Sequence, residues 1–261
     1  MVARRLIRRQ QPDGHFSFLD PRGKAGKLAS VVEGMVAQRP DAVKDGWVVH
    51  VDPLGMSQTE TGACAVALAV AGKALGRADW SQASQKAADW AMGQPCLPNF
   101  VANAASAGLL ARAYLDAKQD RHLVGLTRKL AIGLLPGQAE NGRWIDAASA
   151  TTSNHLAILR ALHDAWEAIP AEREDLRRDL RPGIDLAMSS LLAECNSLGV
   201  PPQGNALRDL LRHRDLFRPA SDPRLEPAIL DSATVIQELC HEGPKPKLGV
   251  APDQLAALSR T

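Results

Sequence analysis

The richest run of chemistry-bearing side chains in the sequence lies between residues 143 and 155. Arg143, Trp144 and Asp146 come first, and Asn154 and His155 follow in a Thr-Thr-Ser-Asn-His run that has the composition of a helix start. A histidine beside a carboxylate can act as a general base. An arginine next to a tryptophan suits a carboxylate or the face of a sugar. We therefore expect His155 and Asp146 to be catalytic, and Arg143, Trp144 and Asn154 to contact a substrate.

Two further apolar segments also begin with polar side chains. His50 precedes one of them, Glu60 stands at its head, and Asn103 lies one turn into the other. At the start of an apolar helix, burial favours the neutral form of a carboxylic acid and would let Glu60 donate a proton. The pattern adds Glu60 to the catalytic candidates, and His50 and Asn103 to the substrate contacts.

Helix capping explains much of the same pattern without any chemistry. Asn154 is a favourable N-cap residue, Glu60 suits a helix N-terminus electrostatically, and Trp144 can fill a gap between helices. A second function therefore stays open. In it, the same surface of a non-catalytic scaffold binds a protein or a glycan.

Helices must position these residues, because the composition is rich in alanine and leucine and poor in aromatic residues, at 4%. Mostly apolar segments alternate with amphipathic ones, which predicts three pairs of helices. The pairs are 62–75 with 80–92, 100–118 with 121–135, and 151–169 with 171–194. We expect Pro182-Gly183 to kink or split the last helix. Less regular helices are expected near 206–213 and 226–241, in a C-terminal section from about residue 196 to 261.

The pairs repeat at an interval of 40–50 residues, which is typical of stacked helical hairpins. Small residues such as Ala63, Ala65 and Ala104 in the apolar helices allow the close approach that an inner barrel requires. We predict an all-α fold in which residues 1–261 form one α/α toroid. The chain opens at the end of an outer helix of that pattern, which suggests a segment upstream of residue 1.

A turn motif follows the amphipathic helices. Gln11-Pro12-Asp13-Gly14-His15-Phe16 and Gln138-Ala139-Glu140-Asn141-Gly142-Arg143-Trp144 share a glutamine, an Asx-Gly turn and an aromatic residue, and Gln38 with Asp45-Gly46-Trp47 is a looser copy. The motif resembles the QW-type repeat of the α/α-toroid superfamily, which contains terpenoid cyclases and protein prenyltransferases. Six-hairpin glycosidases, polysaccharide lyases and sugar epimerases are similar toroids. The resemblance covers roughly residues 1 to 195.

The resemblance implies a carbohydrate-active or related small-substrate enzyme that works at the mouth of the toroid. An isoprenoid cyclase or transferase ranks third, after the binding scaffold. The Asp-x-Asp-Asp run of class II terpenoid cyclases and the Asp-x-Cys setting of prenyltransferase zinc are absent from the sequence. Five Trp, four Phe and one Tyr are also few for a pocket that stabilises carbocations.

Zinc is the one metal for which the sequence contains candidate ligands. Cys195 and Cys240-His241 resemble the ligands of lanthionine cyclases, but the second signature reads Cys-His-Glu-Gly, not Cys-His-Gly, and the first cysteine lacks its usual neighbours. We expect no metal and no cofactor.

Composition narrows the partners and the compartment. A net charge of +2 is small compared with the positive charge typical of a dedicated nucleic-acid binder. No apolar run approaches the roughly 20 residues of a membrane span. The arginines between residues 172 and 181 alternate with acids, which indicates a solvated face linked by ion pairs. Four cysteines without a Cys-x-x-Cys pair, and no secretory signal, favour the cytoplasm.

Overall fold

The computed structural model describes residues 2–17, 53–144, 152–198, 206–218 and 222–242, together with single helical positions at 31, 34, 37 and 38. Within these residues the protein is all-helical and has no strand. The chain divides into two compact units, Met1–Leu191 and Leu192–Thr261. The all-α class predicted from composition is confirmed.

Nine α-helices have their bounds within the described ranges. They are α1 (Val2–Arg9), α2 (Pro53–Ala74), α3 (Ala78–Gly93), α4 (Phe100–Ala117), α5 (Asp120–Gly133), α6 (Thr152–Ala168), α7 (Glu174–Leu198), α8 (Ala206–Phe217) and α9 (Leu225–Glu242). One turn of 3-10 helix, Leu135–Gly137, follows α5.

The helices of the first unit pack in two rows. Helices α2, α4 and α6 lie side by side in chain order, and each of α2 and α4 pairs with the helix that follows it. Helices α3 and α5 touch each other in the second row, and α1 packs against α2 and α3. The packing of α2 with α3 and of α4 with α5 corresponds to the first two of the three predicted pairs.

Small residues bring the first-row helices close together. A Cβ atom placed on Gly62 of α2 would lie 2.7 Å from the carbonyl oxygen of Ala105 on α4. Ala65, Ala102 and Ala107 are fully buried in the same row. The alanine-rich composition thus serves helix–helix contact as well as helix propensity.

Helix α2 begins at Pro53, well before the start predicted at residue 62. Proline is favourable in a first helical turn because its φ angle is already helical and it has no N–H to leave unpaired. Glu60 and Thr61 therefore lie inside the helix and do not cap it. The hydroxyl of Thr61 accepts from the N–H of Phe16 at 2.9 Å and donates to the carbonyl of Phe16 at 3.2 Å.

Helix α7 runs through Pro182 without a break, so of the predicted kink or split the split is wrong. A proline inside a helix removes one backbone hydrogen bond, to the carbonyl of Arg178, and the rest of the helix can continue. Packing along its buried face, which includes Ile184, Met188 and Leu191, holds the helix together across this position.

The second unit contains α8 and α9, which pack against each other. Both helices were predicted from the sequence. Leu210, Phe217 and Leu225 are buried here, and Glu226 lies 3.6 Å from Arg218 and 3.9 Å from Arg214. None of the helices in the described ranges combines the length and the apolarity needed to cross a bilayer.

Candidate functional site

Two turns of the first unit share one construction, and we name each a clamp turn. In the first clamp turn, residues 10–16, the amide nitrogen of Gln10 donates to the carbonyls of Gly14 (2.8 Å) and of Ala83 on α3 (2.7 Å). In the second, residues 138–144, the amide nitrogen of Gln138 donates to Gly142 (3.0 Å) and to Gly183 on α7 (2.9 Å). Each glutamine thus ties its own turn to a helix further along the chain, α3 for the first turn and α7 for the second.

The glycine of each clamp turn is required by backbone geometry and by space. Gly14 has φ +105° and Gly142 has φ +84°, values that side-chain-bearing residues rarely adopt. A Cβ atom would collide with the carbonyl of Lys86 at Gly14 and with that of Leu186 at Gly142. Lys86 follows Ala83 by three residues, as Leu186 follows Gly183, so the two turns dock in the same register.

The clamp corrects the sequence alignment of the motif. The glutamine equivalent to Gln138 is Gln10, whereas Gln11 makes only a 3.2 Å bond to the carbonyl of Arg9. The looser copy at Gln38 lies at a helical position, and its Asp45-Gly46-Trp47 falls outside the described residues.

The second clamp turn delivers Trp144 to the start of α6. Trp144 is 1% exposed, and its indole N–H donates to the carbonyl of Leu134 at 2.9 Å. Its ring lies against the imidazole of His155, with 5.9 Å between the ring centroids. The turn therefore brings together three of the predicted site residues: Arg143, Trp144 and His155.

His155 is buried, and its tautomer follows from its partner. Its Nε2 lies 2.9 Å from the carbonyl oxygen of Ala187 on α7, so Nε2 carries the proton and donates it. Nδ1 is then an acceptor, and within the described structure it is buried with no hydrogen-bond partner. Burial lowers the pKa of His155 below its ordinary value, and the charge of Arg143 lowers it further, against the opposing effect of the Ala187 bond. The imidazole is held neutral.

Arg143 shares this environment. Burial lowers the pKa of its guanidinium, although an arginine stays charged at any physiological pH. A guanidinium near a neutral imidazole with a vacant lone pair combines two functions. The cation can pair with an anionic group of a ligand, and the imidazole can accept a proton from that ligand.

His122 provides an internal comparison for His155. It is also fully buried with an unpartnered Nδ1, but its Nε2 lies 3.0 Å from the carboxylate of Asp89 on α3. Asp89 in turn pairs with Arg121 at 3.1 Å. His122 therefore joins α5 to α3 through a carboxylate and has a structural role.

Glu60 and Asn103 lie apart from this group, each with its own partners. Glu60 is 20% exposed and forms an ion pair with Arg9 on α1, with 3.5 Å between the carboxylate and the guanidinium. The amide nitrogen of Asn103 donates to the carbonyls of Leu97 and Gly133, and its oxygen accepts from the N–H of Leu97. In this structure Asn103 anchors the loop before α4.

A buried polar network that the sequence analysis missed surrounds this loop. The carbonyl of Pro95 accepts from Lys129 at 2.9 Å and from Gln58 at 3.3 Å, and Gln58 also accepts from the hydroxyl of Ser106 at 3.1 Å. Lys129 is fully buried, and desolvation lowers the pKa of its amine. The sequence pattern that could have predicted the burial of Lys129 is its helical spacing from His122 and Leu126, which lie on the buried face of α5.

The remaining candidates have fewer structural data. Asn154 is half-buried on α6, while His50 and Asp146 fall outside the described residues. The side chains of Cys195, Cys240 and His241 are also outside them. Among the described side chains, no group of three or more His, Cys, Asp or Glu residues is placed to hold a metal ion.

Comparisons with protein-family models, with curated proteins and with solved structures found no match to this chain.

Proposed function

We propose that this protein is an α/α toroid that performs acid/base chemistry on a carbohydrate-like small substrate at the mouth of the ring, with His155 as the general base. The observation that carries the proposal is the environment of His155. It is a neutral, buried imidazole whose Nδ1 has no partner among the described residues and which lies near the Arg143 charge. Titratable groups perturbed by burial and by a specific neighbouring charge concentrate at functional sites.

The proposed roles follow from the donors and acceptors. The Ala187 carbonyl holds the ring through Nε2–H and leaves the lone pair of Nδ1 to accept a proton. Arg143 would bind a carboxylate or a developing oxyanion of the substrate. Asp146 follows Trp144 by two residues in the sequence and is the proposed partner acid.

The toroid itself is part of the proposal. Its support is the side-by-side packing of α2, α4 and α6 in chain order, and the docking of both clamp turns in one register. Closure of these hairpins into a ring would gather the first-row helix starts at one mouth, where helix N-termini favour anionic and hydroxyl-rich ligands.

A matched pair of histidine variants tests the base. The purified chain is incubated with neutral and uronate-containing oligosaccharides, and products are followed by mass spectrometry. We expect turnover of at least one substrate class, and a loss of about 100-fold or more in kcat for His155→Gln, the usual range for a general base. His122→Gln, which also removes a buried imidazole, should keep kcat within a few-fold. Equal activity of His155→Gln and the wild type would exclude His155 as the base.

A second candidate function is non-catalytic binding of a glycan or protein. The specific observation in its favour is that the polar side chains near the starts of α2 and α4 bind one another or the loop between the rows, as Gln58, Ser106 and Asn103 do. A ligand at 100 times its Kd stabilises a protein by about 2.7 kcal/mol. A ligand that raises Tm but is never converted by the wild type would favour this function over catalysis.

A further inference from the structure

A groove opens at the end of α6 opposite to His155. It has a volume of about 520 Å³ and is lined by Trp166 on α6 and by Glu174, Arg177, Arg178, Arg181 and Pro182 on α7. A volume of this size lies within the range of small-molecule sites, about 300–1,000 Å³. Trp166 follows His155 by eleven residues of continuous helix, which places the two about 16 Å apart along the axis. The groove is thus separate from the proposed active site.

Two of the arginines are held in place against the tryptophan. The guanidinium carbon of Arg177 lies 5.3 Å from the centre of the Trp166 ring, and that of Arg181 lies 6.0 Å from it. Two nitrogens of Arg177 donate to the carbonyl of Ile169, at 3.0 and 2.8 Å. Arg181 is bound to Asp185 at 2.7 Å. Their orientation is therefore set before a ligand arrives, which lowers the entropic cost of binding.

Arg178 is the cation that remains most available. Its side chain is 79% exposed, and its ion pair with Asp179 is long, at 4.0 Å. Three arginines and one carboxylate, Glu174, line the groove. Since Asp185 neutralises Arg181 closely and Asp179 contacts Arg178 only loosely, the positive charge that favours an anion is that of Arg177 and Arg178. An exposed guanidinium in this setting can form the two parallel bonds that a carboxylate prefers.

Hydroxyl groups also find acceptors in the groove. Pro182 has no N–H with which to bind the carbonyl of Arg178 in the helix, and the carboxylate of Glu174 lies on the same wall. The half-buried Trp166 ring adds an apolar surface of the kind on which the C–H face of a sugar rests.

We propose that this groove binds a hydroxylated carboxylate, a molecule of the uronic acid class. Its carboxylate pairs with Arg178 beside the fixed guanidinium of Arg177. Its hydroxyls donate to Glu174 and to the Arg178 carbonyl, and its apolar face meets Trp166. The sequence pattern had indicated only a solvated face of ion pairs here. The site is independent of catalysis at His155, so either proposal can fail alone.

The test follows the indole N–H of Trp166 by NMR in the full-length ¹⁵N-labelled chain, with the resonance assigned through Trp166→Phe. Glucuronate, methyl glucoside and inorganic phosphate are titrated separately at constant ionic strength. We expect a saturable shift of the Trp166 signal with glucuronate, at least tenfold weaker binding of methyl glucoside, and weaker binding of phosphate than of glucuronate.

Two arginine variants separate a specific site from general attraction. Arg178→Gln should weaken glucuronate binding about threefold or more. Arg173→Gln removes the same charge from the same end of α7, at a residue outside the groove that pairs with Asp175, and should leave the affinity within a factor of 1.5. Both arginines are exposed, so folding is preserved. Equal losses in the two variants, tighter binding of phosphate than of glucuronate, or no saturable shift would each overturn the proposal.

Discussion

The two clamp turns share a backbone but deliver different side chains to the first-row helices. In the first, Phe16 meets Thr61, whose hydroxyl accepts a hydrogen bond from the Phe16 N–H and donates one to the Phe16 carbonyl. In the second, Trp144 meets His155, whose Nδ1 has no partner among the described residues. The turn is therefore a structural device, and its chemistry depends on which residue the next helix presents to it.

A further junction shows what happens without the device. Between α3 and α4 the chain reads Gln94-Pro95-Cys96-Leu97, and the side-chain amide of Gln94 donates back to the carbonyl of Trp90 in its own helix, at 3.3 Å. Here Lys129 and Gln58 reach in and bind the Pro95 carbonyl. Long polar side chains from the helices thus replace the clamp, at the cost of burying an amine.

The largest expected effect is at the turn glycines. Gly14→Ala and Gly142→Ala should each lower the free energy of unfolding by about 3 kcal/mol, because alanine is strained at positive φ and its Cβ overlaps a carbonyl of the helix against which the turn packs. Urea denaturation measures the loss. Gly93→Ala, where a Cβ meets nothing within 4 Å, is the control and should change stability by less than about 0.5 kcal/mol. A tolerated Gly142→Ala would break the equivalence of the two turns.

The clamp glutamines come next. Gln10→Ala and Gln138→Ala each remove two hydrogen bonds to backbone carbonyls, so we expect each to lower the free energy of unfolding by about 1–3 kcal/mol. Gln11→Ala should cost less than about 0.5 kcal/mol, since the side chain of Gln11 makes one hydrogen bond among the described residues, to the carbonyl of Arg9. The same urea titration compares all three variants. If Gln11→Ala were the costlier change, the alignment based on Gln11 would be restored.

The third prediction concerns pH and applies to the second clamp turn alone. The folded-state pKa of His155 is lowered from 6.5, so below pH 6.5 the unfolded chain binds a proton that the folded chain does not. The contribution of His155 to the free energy of unfolding is therefore fully present above pH 6.5. It should fall as the pH drops below 6.5, by up to about 1.4 kcal/mol per pH unit. Unfolding curves between pH 7.5 and 5 should show a smaller fall for His155→Gln. An unchanged slope in that variant would contradict the lowered pKa.

The smallest effect is expected at the ion pair beside the first clamp turn. Arg9 is 49% exposed in its contact with Glu60, and exposed ion pairs contribute about 0–1 kcal/mol. Glu60→Gln should therefore lower Tm only slightly and, if His155 is the base, keep kcat within a few-fold. A loss of kcat as large as that of His155→Gln would instead identify Glu60 as the acid.

Sequence periodicity predicted the positions of the helices well, but not the hydrogen bonds between them. The bounds predicted for the two helices 80–92 and 100–118 agree closely with α3 and α4, because an apolar stripe and a turn residue mark each end locally. The start of α2 was wrong, since Pro53 is a helix start that looks like a loop residue in sequence. The glutamine of the motif was assigned to Gln11 when it is Gln10, because the carbonyl that Gln10 binds, that of Ala83, is remote in the chain.

The candidate site divides in the same way. The sequence singled out Arg143, Trp144 and His155 from their types and spacing, and the structure brings these three together. The sequence could not indicate that the amide of Asn103 is already hydrogen-bonded, or that Arg177 and Arg181 lie against Trp166 in a groove. Such facts depend on which helix packs against which.

The helices, their alternation and the Asx-Gly turns are encoded locally in the amino-acid sequence, because propensity, amphipathic period and positive-φ glycine act over a few residues. Packing in three dimensions sets which glutamine clamps which helix, which histidine is bound to a carboxylate and which only to a carbonyl, and where arginines frame a groove. Burial and hydrogen-bond satisfaction are properties of the packed helices. A residue's type gives its capacity for chemistry, and its neighbours in space determine whether that capacity is already used.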